Sequence, residues 1–383
     1  MTQKIIVGNG EATLTSSNIF ECDFTRETNT GNDITLGSTP SAYLVAKVYG
    51  KTPIVTYGTQ IKYYEDDELI ATLYCERPTI DNDSQYTIEA YDSITKLEKS
   101  MMGYLSSISF PITLKNLAVG ICQECGLVFD TETFPNADYQ VKTFGANISA
   151  RQLMECIGEL ASRYVYALPN GHIAFGWYQA NVQHEIAYRA LDNNKNYHVY
   201  YMDTLQYENY ESQAIGGVEL ITQSDKSGIK YPTTVNQNVY EIYYNILLNN
   251  ATDSELQTIA QNIYNELSLI TYRPCRFRIP YTKAIKSGDI IYVTEPNGNR
   301  FKTIIFSASL TRLGYECSSV GNETRDSAMS RSENQMYQKR INGALSKFTV
   351  ELDSIRSEVE NTVIGGENLI ENAIDLEGHT FIN

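Results

Sequence analysis

Tyr86-Thr-Ile-Glu-Ala-Tyr-Asp92 sets the fold class. Tyr86, Ile88 and Ala90 recur at a period of two, which puts them on one face of a half-buried β-strand. Upstream, Lys4-Ile-Ile-Val7 precedes a Gly8-Asn-Gly10 turn, and Ser41–Tyr49, Ile54–Tyr64 and Leu69–Cys75 are further β-rich runs. The acidic Glu65-Asp-Asp-Glu68 stretch between Tyr63-Tyr64 and Leu69-Ile70 reads as a hairpin tip. Downstream, Asp92–Lys99 starts a short helix, with Thr95 and Glu98 at capping-box spacing. Residues 1–100 are therefore expected to form one antiparallel barrel or sandwich.

The pattern then changes. Thr113 is placed to cap a helix that runs to Cys125 and stops at Gly126. Ser149 and Gln152 form a capping box for a second helix carrying Leu153, Met154, Ile157, Leu160, Ala161 and Tyr164. A hairpin follows, turning at Pro169-Asn-Gly171. Residues 101–187 read as a small α+β insert. From 188 to 320 the chain is mostly β again, with one helix capped by Thr252 and Glu255. Its plainest local signal is Ser287-Gly-Asp289, Ile290–Val293, a Glu295-Pro-Asn-Gly-Asn299 turn and a strand from Phe301 to Leu310.

Residues 321–364 switch to a polar, helical pattern. Leu345, Leu352 and Val359 take the a positions of a heptad, and Ile341, Phe348 and Ile355 the d positions. Glu351 at g and Arg356 at the following e have the interchain relation of a parallel coiled coil, and Leu at a with Ile at d favours trimers or higher assemblies. An amphipathic helix lying on the body is the alternative for a seam of only about three heptads. Gly365-Gly366 ends the pattern, and 365–383 begins a further segment.

Composition narrows the function. The 383 residues, 42% hydrophobic and 20% charged, suit a globular protein of more than one domain. The net charge of −16 disfavours gripping a phosphate backbone, though it suits a surface that nucleic acid passes without sticking. The 29 tyrosines fit half-buried strands, and a tyrosine-rich surface also suits sugar binding. No run approaches the roughly 18–20 apolar residues of a membrane span. Met1–Gly8 lacks the apolar region of a signal peptide, and seven scattered cysteines point to reduced thiols in a protein made in a cytoplasm.

Catalytic and metal patterns fail one by one. Cys122-Gln-Glu-Cys125 has no second Cys or His pair and continues the apolar stripe of its helix, so buried structural thiols are expected. His184-Glu185 is not a zinc-peptidase motif, because position 188 is Tyr. His172, His198 and His379 lack suitably spaced Cys or Asp partners. Ser93-Ile-Thr-Lys96 matches the spacing of acyl-transferring serine enzymes, without their Lys-Thr-Gly. No catalytic residue, metal or cofactor is expected.

The order of parts resembles the baseplate hub or tail-tip (tail-associated) proteins of long-tailed bacteriophages. Tyr86–Leu97 closes a first β domain; Ser149–Leu160 and Leu168–Phe175 mark the insert. Ser287–Val293, Asn297-Gly298 and Thr303–Arg312 close a second β domain, and Gly366-Glu-Asn-Leu-Ile-Glu-Asn372 looks like a passage into tip or fibre modules. The likeness covers roughly residues 1–365 and rests on order and spacing, since no single motif is specific. It implies a mainly β homotrimer in which two β-barrel-like tube domains per chain form a ring of six continuing the tail tube. Its expected neighbours are the distal tail or tail-tube protein, the tape-measure protein and tip or fibre proteins, with genomic DNA passing through the lumen. The expected location is the virion tail tip, after synthesis in the bacterial host cytoplasm. Many such proteins carry a C-terminal peptidase or peptidoglycan hydrolase; the sequence ends without one, which favours a structural hub or a fragment of a longer protein. A carbohydrate-binding receptor protein and a tail-associated cell-wall hydrolase stay open as alternatives.

Overall fold

The computed structural model describes residues 2–50, 52–143, 148–187, 198–222, 228–234 and 237–323. The coiled-coil seam Ile341, Leu345, Phe348, Leu352, Ile355 and Val359 and the Glu351–Arg356 pair lie outside the described residues.

The first block contributes β1 (Gln3–Val7), β2 (Ala12–Leu14), β3 (Ile19–Glu27), β4 (Tyr43–Tyr49), β5 (Gln60–Glu65), β6 (Glu68–Cys75), β7 (Thr79–Asn82) and β8 (Gln85–Asp92). Tyr86, Ile88 and Ala90 of β8 are buried as their alternation predicts. The β5–β6 tip turns through Asp66 and Asp67, whose φ values of 45° and 65° are left-handed, as a tight hairpin requires. After β8 the chain makes a 3-10 helix at Ser93–Glu98. The expected cap at Thr95 is corrected here: Asp92 caps the helix, its carboxylate accepting from the Ile94 N–H. Thr95 lies inside this helix, where its hydroxyl donates to the Asp92 carbonyl at 2.9 Å instead of capping the first turn.

The insert holds α1 (Met102–Ser107), β9 (Ile112–Thr113), α2 (Leu114–Glu124), β10 (Gln140–Val141), α3 (Ala150–Leu160), β11 (Tyr164–Ala167) and β12 (Ile173–Gly176). Thr113 caps α2, and Ser149 and Gln152 form both halves of a capping box on α3. Gly126 takes φ +68° just past the end of α2, the left-handed stop expected of it.

The last part holds β13 (Gln179–Ala187), β14 (His198–Tyr201), β15 (Thr204–Tyr207), β16 (Gly217–Ile221), β17 (Ile229–Tyr231), β18 (Val239–Tyr243), α4 (Asp253–Leu267), β19 (Cys275–Ile279), β20 (Asp289–Thr294), β21 (Arg300–Ile304), β22 (Ser307–Thr311) and β23 (Gly314–Ser318). The strand expected from Phe301 to Leu310 is two strands. β21 pairs with β20, while β22 leaves that sheet to pair with β23 and β3. Ile305 and Phe306, both buried, occupy the step between the sheets.

That step decides the architecture. β22 joins the two β blocks into one 12-stranded sheet in the order β15-β19-β23-β22-β3-β4-β8-β6-β5-β1-β2, with β7 beside β8. Three apolar cores lie against the sheets. One is built from Ile5 to Ala90 alone, and one from Ile186 to Cys317. The third gathers α2, α3, α4 and the faces of β16 and β18, with side chains from Ile34 to Phe306. The helix capped by Thr252 and Glu255 thus packs with the insert's helices.

Candidate functional site: the polar face of the shared sheet

Alternation along the shared sheet sends Phe277, Cys317, Leu310, Phe24, Leu44 and Ala90 into the cores. The opposite face is polar, and its register runs unbroken through both blocks. Thr204 lies opposite Arg278, then come Glu316, Ser309, Thr25, Tyr43, Tyr91 and Tyr74, one residue on each of eight strands. Gln206, Arg276, Ser318, Ser307 and Glu27 form the next row. At the join, the Thr25 and Ser309 hydroxyls are 2.7 Å apart, and Ser307 donates to Glu27 at 3.3 Å. Each such bond contributes about 1 kcal/mol net. The face mixes hydroxyls and charges with exposed rings, Tyr43 lying against Tyr91 and Tyr49 against Phe20.

Its charges are mostly matched. Arg276 pairs with Glu316 and Arg278 with Asp203, both at 2.7 Å, while Lys47 pairs with Glu21. The Arg278 guanidinium holds the Asp203 carboxyl below its ordinary range. Asp23, Glu27 and Glu89 add carboxylates to the same face. Partial burial, reinforced by the Glu21 carboxylate, holds Asp23 above its ordinary range. Arg276, Arg278 and Lys47 are thus each paired locally, while Asp23, Glu27 and Glu89 add negative charge.

Polar contacts tie the three parts together beneath this face. Lys283, before β20, donates to the Glu65 carbonyl at 2.8 Å and to the Glu68 carboxylate at 3.0 Å. Arg26 donates to the Ile70 carbonyl, and Thr72 to the carbonyl of Pro169 in the insert hairpin at 2.7 Å. Arg151 of α3 donates twice to the Thr39 carbonyl and pairs with Glu98 at 2.7 Å. The Tyr240 hydroxyl accepts from the Leu36 N–H at 2.9 Å.

The motifs singled out in the sequence do not converge. Cys122 is fully buried, with its thiol pushed up to about 12 by desolvation, while Cys125 is half-buried at the end of α2. Glu185 is buried on β13, accepts from Thr294 and pairs with Arg300 at 3.0 Å. His172 lies on the insert, 3.3 Å from Asp130. Ser93 is fully buried, and Lys96 sits over the Tyr74 ring at 3.9 Å. Among the described residues no group of three His, Cys, Asp or Glu side chains is placed to hold a metal, and no helix is long and apolar enough to cross a membrane. The residues that build the site, chiefly Thr25, Ser307, Ser309 and Lys283, were not singled out from sequence. The one available signal was the polar alternation Ser307, Ser309, Thr311 on a strand whose other face is Ala308 and Leu310.

No protein-family model and no curated protein matches the sequence. The fold, by contrast, matches solved structures. The 43 kDa tail protein of prophage MuSo2 from Shewanella oneidensis superposes with a TM-score of 0.55 at 13% identity, over 84% of this chain and 99% of that one. A tail protein from Neisseria meningitidis gives 0.55 at 11% identity, over 83% and 95%. A prophage tail protein from Listeria monocytogenes gives 0.52 at 12% identity, over 89% and 98%. The chain is therefore similar in fold to these tail proteins along nearly their whole length.

Proposed function

We propose that this chain is a structural, non-catalytic protein of a phage tail, acting as a homotrimeric hub or tail-tip protein that closes the tail tube. The observation that carries the reading is the polar row crossing eight strands drawn from both β blocks. A chain with two β blocks in one sheet supplies two adjacent segments of a ring, so three chains supply six. The polar face would line the lumen, where hydroxyls, matched ion pairs and surplus carboxylates let DNA slide without counterion-releasing contacts. The fold likeness to tail proteins supports the same assignment.

In this reading Ile341, Leu345, Phe348, Leu352, Ile355 and Val359 form the trimer seam, with Glu351–Arg356 as the interchain pair. The distal tail or tail-tube protein and the tape-measure protein would meet one end of the ring, and tip or fibre proteins the other. The site of action would be the virion tail tip, during host attachment and DNA ejection. Light scattering at micromolar concentration, with and without residues after 325, tests the assembly. The expected result is a trimer mass for the full chain and loss of mass on truncation. A full-length chain that stays monomeric would remove the assembly claim.

A further inference from the structure

Three tyrosines stand side by side on the polar face. Tyr43 of β4, Tyr91 of β8 and Tyr74 of β6 lie directly opposite one another in the register of the sheet. Neighbouring strands are about 4.8 Å apart, so the three rings form a short continuous row. The Tyr43 and Tyr91 ring centroids are 6.2 Å apart, and Tyr43 is 39% exposed. The negative face of a tyrosine ring attracts Lys and Arg side chains. At one end of the row that attraction is already in use: Lys96 Nζ sits 3.9 Å from the Tyr74 ring centroid. Among the described residues no cation lies over Tyr43 or Tyr91.

Carboxylates border the two open rings. Glu89 is two residues from Tyr91 on β8 and therefore on the same face. Just past the end of β6, the Glu76 N–H donates to the Glu89 carbonyl at 2.8 Å, which sets the two glutamates side by side. Both are exposed, and neither has an ion-pair partner among the described residues. Burial first, then Glu89 and Glu76, hold the Tyr91 hydroxyl above its ordinary range, as expected with both carboxylates beside the ring. Asp23 of β3 joins the same row through Val45 of β4, while Lys47, two residues farther along β4, is engaged by Glu21. Like charges set opposite each other across a strand pair repel, and a cation between them removes that cost. An anionic partner such as nucleic acid would add to the repulsion, and a neutral one would leave both glutamates unpaired. A single small cation would meet one ring only. A polypeptide carrying cations in series meets both rings and both carboxylates.

We propose that the Tyr43–Tyr91 pair, with Glu89 and Glu76, is a docking surface for a segment of a partner protein that bears lysine or arginine. The proposal goes beyond closing the tube and rests on this face alone, so it stands or falls whether or not a ring forms. Its test is fluorescence anisotropy on the full chain, with a labelled peptide of alternating arginine and serine as the probe. The controls are the same peptide with glutamate in place of arginine, and a short DNA duplex. The arginine peptide should bind, more weakly as salt rises, and the two anionic probes should not. Tyr43→Ala and Glu89→Gln should each weaken the peptide about threefold to tenfold, the effect of one cation–ring or charge contact at an exposed site. Tyr43→Phe keeps the ring face and should bind like the wild type. Glu132→Gln removes one exposed charge from the insert and should leave binding unchanged. Because Glu89 is exposed, Glu89→Gln should also keep the wild-type melting temperature, which separates lost binding from lost folding. Failure of the arginine peptide to bind would overturn the proposal, as would DNA binding tighter than the peptide. Equal losses from Glu132→Gln and Glu89→Gln would overturn it too, because they would show attraction to the net negative charge alone.

Discussion

The first β block and the helical core beside it are built on opposite plans. Every member of the first core lies between Ile5 and Ala90, whereas the helical core collects Ile34, Leu36, the insert, α4 and Phe306. A core closed within one stretch of chain leaves a regular, local imprint on the sequence. One assembled across some 270 residues leaves the imprint of its elements but not of their partnership. The contact between the two plans is therefore concentrated at a few points, and substitutions there should separate them.

Gly37 is the sharpest such point. It lies in the first-block segment that reaches α3, has φ +72°, and a Cβ there would come within 2.2 Å of the Glu155 carbonyl. Gly37→Val should cost roughly 2–6 kcal/mol, from left-handed strain plus a clash that backbone cannot relieve. The expected outcome in chemical denaturation is loss of the shared transition. Next come paired core truncations, Ile88→Ala in the first core and Ile259→Ala in the helical one, each costing roughly 2–5 kcal/mol. By hydrogen exchange, Ile88→Ala should expose β4 and β8 first, and Ile259→Ala should expose α3 and α4 together. Identical exchange patterns would mean that the two plans behave as one cooperative unit.

Smaller effects sharpen the helical side. Glu255 completes the capping box of α4, and its carboxyl is held down to about 2 by Lys142, then by the Thr252 backbone and hydroxyl. The unfolded value is near 4.5, so the carboxylate's contribution is complete above pH 4.5. It is lost as pH falls from 4.5 toward 2. Protection of the first turn of α4 should decline over that window, and Thr252→Ala should lower stability by about 1 kcal/mol at neutral pH. Lys283→Ala should cost less than about 1 kcal/mol, because Glu68, its ion-pair partner, is largely exposed. Its larger expected effect is on exchange at the β5–β6 tip, where it holds the Glu65 carbonyl.

What the sequence disclosed follows the same division. Thr113, Ser149 with Gln152, and Thr252 with Glu255 announced three helix starts, because a cap is a bond between residues two or three apart. Tyr86, Ile88 and Ala90 announced a strand and its buried face. The pairing of Ser309 with Thr25 had no such signal, since the partners lie 284 residues apart. Nor did the break at Ile305-Phe306, because both residues suit a strand and only the sheet step gives them different neighbours. The deep carboxyl of Glu65 looked like part of an acidic surface tip; its burial depends on the chain around Lys283 folding over it. The polar face, the part of the molecule on which the functional reading rests, was therefore visible strand by strand but not as a whole.

Reconstruction of negatively stained or frozen particles of the full chain tests that reading most directly. The account predicts three-fold particles with a central channel, lined by the face that carries Glu21, Glu27, Ser309 and Glu316. Particles without a channel, or a channel lined mainly by lysine and arginine, would contradict it.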